Sequence, residues 1–168
     1  MKQKTSIIKS TRHQKIIGDF GEAILCNWLS RSGFGVAVVN HTGIDIVAYN
    51  KKTKKRLGIS VKSRTRTSEK ETESVNIFSN KKKDRNKLEM ACKAFCCEPW
   101  IAIYVETVKE ADIYLTSVKN YDRKYRIKNR VIDDWKMGKK YKLQYDDKDE
   151  QMIKHIHIQF DLKSWKWK

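Results

Sequence analysis

Four residues in the N-terminal part of the chain have the types and spacing that phosphodiester hydrolysis needs. Glu22 lies in GDFGE, Asp45 in GID, and Ser60 and Lys62 in SVK. Side chains two apart on a strand leave the same face, so Ser60 and Lys62 point together, and Ile59 and Val61 point to the opposite, core face. An acid and a lysine on one side of neighbouring strands are costly in a plain core. They suit a site where a hard divalent cation takes oxygen ligands, polarises a phosphate and lowers the pKa of a bound water. A nearby lysine orients the nucleophile and offsets developing charge. Singly, each residue is a weak signal. Helix glutamates are often solvated, an aspartate after glycine often ends a turn, and lysines abound here. The weight comes from all three charged groups in this order on suitable elements.

Those elements can be read from patterning. Residues 11–32 form a first helix, with Ile17, Phe20, Ile24 and Trp28 as its apolar stripe. Thr11 and Gln14 have the spacing of a capping box, and Gly33 is the stop. Gly18 and Gly21 each cost about 1 kcal/mol inside a helix relative to alanine, which suggests a close approach there. Glu22 shares a face with Gly18. FGVAVVN, IDIVAYN and LGISVKS read as three strands, TRTSEKETES as a polar loop, and residues 80–97 as a second helix. WIAIYV is a continuous apolar run, typical of a buried central strand, and DIYLTSV is another strand. Tyr141, Leu143 and Tyr145 alternate with polar residues, which predicts a strand, with IKHIHIQFDL as its hairpin partner after a DDKDE turn.

The order GDFGE, GID, SVK, each on its element, resembles the PD-(D/E)XK nuclease superfamily, and within it the archaeal Holliday-junction resolvase and related resolvase-like branch. The resemblance covers residues 11–118. It implies an α/β fold, a restriction-endonuclease-like mixed central β-sheet flanked by α-helices, in one domain with a basic β-rich extension over 119–168. It implies that Glu22 is the helix acid, Asp45 the metal ligand and Lys62 the catalytic lysine, with Mg²⁺ or Mn²⁺ held by Asp45 and Glu22. Thr42 is similar in place to a hydroxyl residue of resolvases. A homodimer and structure-directed binding of duplex or branched DNA are implied too. Two positions depart from the pattern: Ile44 replaces the usual proline, and Ser60 stands where the second acid belongs. A hydroxyl is a far weaker ligand than a carboxylate. Three readings are open. Another acid moves in, with Glu22 ahead of Glu69, Glu71 or Glu73; one metal binds with water in place of the missing carboxylate; or the site is inactive and the fold only binds DNA.

The bulk composition fits a polyanionic partner. The chain has 168 residues, 37 Lys plus Arg against 20 Asp plus Glu, and a formal net charge of +17. Such an excess raises the self-repulsion of a compact fold, and nucleic acid rewards it through counterion release. The basic clusters expected to meet phosphates are Lys51, Lys52, Lys54, Lys55 and Arg56, then Arg64 and Arg66, then Lys81, Lys82, Lys83 and Arg85. The stretch 119–130 is also basic. Tyr121, Tyr125, Trp165 and Trp167 are candidates for stacking on bases, although large aromatics more often pack inside. A basic RNA-binding protein is the more distant alternative. No run approaches the roughly 18 apolar residues of a spanning helix. The basic N-terminus has no apolar stretch of secretory length, so a cytoplasmic location is expected. The cysteines lack paired metal spacing; Cys92 and Cys96 share the apolar stripe of the second helix, where thiols behave as small hydrophobes. His155 and His157 alternate on one face of a late strand. With no third ligand evident in the sequence, they read as solvent-facing. P-loop, nucleophile-elbow and dinucleotide motifs are missing from the sequence.

Overall fold

The structure, a computed structural model, describes residues 7–67, 74–148 and 152–161. A six-stranded sheet runs through the centre in the order β1-β2-β3-β5-β6-β8. β1 (Gly35–His41), β2 (Ile44–Tyr49) and β3 (Arg56–Thr65) form an antiparallel meander. β5 (Glu98–Glu106) joins β3 in parallel. β6 (Glu110–Ser117) and β8 (Ile153–Gln159) extend it antiparallel. The β3–β5 crossover carries β4 (Ser74–Phe78) and α2 (Lys81–Ala94). This is the expected mixed sheet flanked by helices.

α1 (His13–Arg31) covers one face. Its buried stripe is Ile17, Gly21, Leu25 and Leu29; Ile17 is buried as expected, and beyond it the stripe runs one residue later than Phe20, Ile24 and Trp28. Phe20 is 47% exposed, and Ile24 and Trp28 are only half-buried. The cause is Gly21. A Cβ there would lie 2.1 Å from Ser63 Oγ and 3.2 Å from Tyr104 Cβ, so the helix rests on the sheet through its own backbone. Gly18, expected to serve the same purpose, has nothing within 4 Å of the equivalent point. The expected capping box is not formed either: the helix begins after Arg12, which makes no side-chain cap. Gly33 does follow the helix, at φ +82°.

The other face carries a larger core. It is built by α2, the β4–β7 pair (β7, Asp133–Lys136), α3 (Val118–Lys124) and α4 (Lys139–Lys148) around Ile101, Ile103, Tyr114, Tyr121 and Trp135. α2 starts at Asn80, whose side chain accepts from Lys83 N–H while Asp84 accepts from Asn80 N–H. α4 replaces the strand expected over 141–145. Tyr141 and Tyr145 are four apart as well as alternating, and only the helical reading leaves Leu143 57% exposed while Tyr145 is buried. β8, expected to pair with that strand, pairs with β6 instead, and the late segment thereby joins the same central sheet. Cys92 is buried beside Gly58, and burial pushes its thiol up to about 12. Cys96 lies beyond the end of α2, at positive φ and exposed, not on the stripe.

Candidate active site

β2 and β3 pair from Tyr49–Arg56 to Ile46–Ile59 and then part, while β3 continues along β5 as far as Thr65. Asp45 stands in the fork. Its Oδ2 accepts the Val61 N–H at 2.6 Å, so the carboxylate substitutes for the strand partner that β3 lacks at that point. Ser60 and Lys62 leave β3 on the face that α2 covers, Ser60 nearly buried and Lys62 half-buried. α2 passes beside this fork, since the carbonyl of Lys87 lies 2.4 Å from where a Gly43 Cβ would stand.

Glu22 reaches the fork from α1. Burial raises its pKa first. The Asp45 carboxylate raises it further, then that of Asp19, against the lowering influence of Lys15 and Lys62. The sum is a rise. Asp19, three residues before Glu22, was not singled out in the sequence. It is an exposed partner of Lys15, 2.8 Å away, and the helical i, i+3 spacing was its only signal.

A second polar set fixes α1 on the sheet. Tyr104 donates to Glu106 Oε2 at 2.8 Å and Thr65 Oγ1 donates to Glu106 Oε1 at 2.7 Å. With the Thr65 proton committed, His13 Nε2 is the donor in its 2.8 Å bond to Thr65 Oγ1. Lys9 donates to the Thr65 carbonyl. This clamp holds the first turn of α1 against β3 and β5. Nothing in the sequence marked His13 or Glu106.

The donor set suits a hard divalent ion. Burial and then the Asp45 carboxylate both raise the pKa of Glu22. A dication opposes both effects. Two carboxylates with water and substrate oxygens completing the shell are what Mg²⁺ ordinarily takes from proteins. Ser60 adds at most a hydroxyl. Glu69, Glu71 and Glu73 lie outside the described residues.

The basic residues separate into groups. Arg64 is exposed on β3 next to the fork, its Nη1 donating to the Ser63 carbonyl. Arg66 is half-buried just beyond. Lys82 and Lys83 are exposed on α2, and Lys81 opens that helix. Lys51, Lys52, Lys54 and Lys55 are exposed on the β2–β3 turn, and Arg56 is exposed at the start of β3; Asn50 organises the turn by accepting from the N–H groups of Lys52 and Thr53. That turn is at the opposite end of the hairpin from Asp45, more than about 13 Å away at the rise of a strand. Arg85 is turned inward: it donates to Asp122 and Asp133 at 2.6 Å each and stacks over Phe78. Tyr121, a stacking candidate, is fully buried and donates to the Asp134 carbonyl. Tyr125 packs on Trp135. Trp165 and Trp167 lie outside the described residues.

His155 and His157 do have a third partner. Asp112 on β6 accepts from both, at 2.9 and 2.8 Å, and His155 is half-buried rather than solvent-facing. The sequence hid this because Asp112 is brought alongside by a pairing, β6 with β8, that periodicity does not reveal. A cavity of about 870 Å³ lies elsewhere again, between the C-terminal half of α1 and the β5–β6–β8 face; its walls include Leu25, Trp28, Trp100 and Ile156. It shares no residue with the fork.

No protein-family model matches the chain, and no curated protein matches it. Among solved structures, the chain is similar to Hjc, a Holliday junction resolvase of the archaeal hyperthermophile Archaeoglobus fulgidus. The two share 19% identity, 71% of this chain and 83% of that chain are covered, and the TM-score is 0.53. At that identity the likeness is one of fold, and the fold is the restriction-endonuclease-like one that the motif order implies. No helix among the described residues is long and apolar enough to cross a membrane.

Proposed function

We propose that the protein is a divalent-metal-dependent endodeoxyribonuclease acting on duplex or branched DNA. What supports this reading is the fork between β2 and β3, where Asp45 is fixed by the Val61 N–H, on a fold similar to that of a junction resolvase, with Glu22 and Lys62 as its expected companions. Asp45 and Glu22 would hold Mg²⁺ or Mn²⁺, which when bound supplies charge stabilisation at the phosphate and a more acidic water. The Val61 N–H fixes the Asp45 carboxylate, leaving its other oxygen for the ion. Glu22 would approach the ion from the α1 side and share it with Asp45. The Lys62 ammonium, two residues beyond Ser60 on the same face, balances charge that builds on the phosphoryl oxygens. Arg64, Arg66 and the α2 lysines 81–83 would hold the backbone of the DNA without reading bases. The turn residues Lys51, Lys52, Lys54 and Lys55, with Arg56, would touch a more distant stretch. Two coordinated cuts in a junction would require a homodimer.

Ser60 favours a second reading, a DNA-binding module on the same fold that has lost hydrolysis. Asp45→Ala separates the two. A nuclease loses cleavage with this change and keeps its DNA affinity. Cleavage that survives it refutes the site, and a wild-type protein that binds but never cuts supports the module.

A further inference from the structure

We propose that Asp112, His155 and His157 form a second metal site, specific for a zinc-like transition ion and distinct from the fork. This does not rest on the nuclease reading. The side chains lie on adjacent antiparallel strands, with Asp112 directly opposite His157 and Tyr114 opposite His155. One ligand atom from each falls within 4.8 Å of the other two. Both imidazoles point a nitrogen at the same oxygen, Asp112 Oδ1. The other oxygen, Oδ2, is taken by Lys142 Nζ from α4. A carboxylate held in this way can give one oxygen to an ion while its second is fixed by a hydrogen bond, the outer-shell support that such ligands usually have. His155 lies flat on Tyr114, ring centroids 4.2 Å apart and planes 2° apart, so its ring is already oriented.

Charge and access also fit. Glu110 lies 3.8 Å from Lys142, so two carboxylates face one ammonium beside the imidazoles. A cavity of about 290 Å³ opens on the cluster, lined by Glu110, Asp112, Tyr114, Lys142, His155 and His157. His157 is 41% exposed and forms the entrance. Two imidazoles and one carboxylate select zinc, cobalt, nickel or copper over Mg²⁺, and leave an open coordination position for water. Sheet register places the cluster on the same face as Lys62. Lys62 is level with Ile103, then Tyr114, then His155, three strand steps or about 14 Å away. An ion there would tie the edge strand β8 to β6.

The test is Zn²⁺ titration of the untagged full-length protein by calorimetry, with Co²⁺ absorption as a second readout. The expected result is one zinc per chain. His157→Ala, at the most exposed ligand, weakens zinc by at least tenfold, because even outer-shell losses cost about 10–100-fold. His157→Ala also removes the rise in Tm that zinc produces, while Asp45→Ala changes neither. The cobalt spectrum shows weak d–d bands alone. No zinc binding, a loss of less than tenfold in His157→Ala, or an intense thiolate charge-transfer band that places the ion on cysteine would each overturn the proposal.

Discussion

Two glycines three residues apart on α1 should respond to alanine in opposite directions. Alanine in a helix interior gains about 0.8–1 kcal/mol over glycine. At Gly18 nothing lies within 4 Å of the new methyl, so the gain is kept and Tm rises by about 2–4 °C. At Gly21 the methyl would sit 2.1 Å from Ser63 Oγ, 3.3 Å from Ser63 Cβ and 3.2 Å from Tyr104 Cβ. The hydroxyl can turn to another rotamer. The two Cβ atoms belong to central strands and cannot. Overpacking of this kind costs about 1–3 kcal/mol, which cancels or exceeds the helical gain. Gly21→Ala should therefore be about 1–3 kcal/mol less stable than Gly18→Ala. Ser63 Oγ is buried with no hydrogen-bond partner among the described residues, so Ser63→Ala alone should be neutral or stabilising, and should recover part of the Gly21→Ala loss. Thermal denaturation of the four variants, followed by circular dichroism without metal, measures this. Because Glu22 is the next residue, Gly21→Ala should also reduce activity in a cleavage assay, whereas Gly18→Ala should not. An equal rise in Tm for both glycine variants would show that α1 does not rest on Ser63.

Other perturbations have defined outcomes. Arg85→Ala leaves Asp133, whose side chain is fully buried, with Arg126 as its one ion-pair partner among the described residues; chemical denaturation should show a loss near the lower end of the roughly 3–5 kcal/mol typical of broken buried pairs, with no change in the salt dependence of DNA affinity. Glu22 has a raised folded-state pKa, so its contribution to stability is full below the unfolded value of about 4.3 and is lost as pH rises through the folded value. Glu22→Gln should accordingly stabilise the metal-free protein at neutral pH, with the difference vanishing below about pH 4. Added Mn²⁺ should raise the Tm of the wild type more than that of this variant. Ser60→Glu should lower the Mg²⁺ concentration needed for half-maximal thermal stabilisation, and an unchanged value would mean that position 60 does not face the ion.

The core of the fold was legible because its signals are local. The apolar runs of β2, β3 and β5 and the helical spacing of α1 and α2 survive without any knowledge of partners. Glu22, Asp45 and Lys62 could be singled out because each occupies a short motif on such an element. What the sequence concealed depends on close approach or long-range pairing. The phase of α1 is set by Gly21 against Ser63, and no periodicity rule counts a glycine as a point of an apolar stripe. The helix α4 was taken for a strand because two tyrosines four apart fit both periods. Arg85 looked like the other lysines and arginines of its run, and only the aspartates at 122 and 133, distant in sequence, show that it is internal. The partnership of Asp112 with His155 and His157 likewise waits on strand order. β4 and β7 are short strands that complete each other, and neither carries a pattern of its own.

The most direct test is cleavage of labelled four-way junction, duplex and single-stranded DNA by the purified protein with Mg²⁺, Mn²⁺ or chelator, beside Lys62→Ala. The expected result is cutting of duplex or junction that requires the metal and disappears in Lys62→Ala while DNA binding persists. Tight binding with no cutting under any metal, or cutting that Lys62→Ala leaves intact, would contradict the assignment of the fork as a nuclease centre.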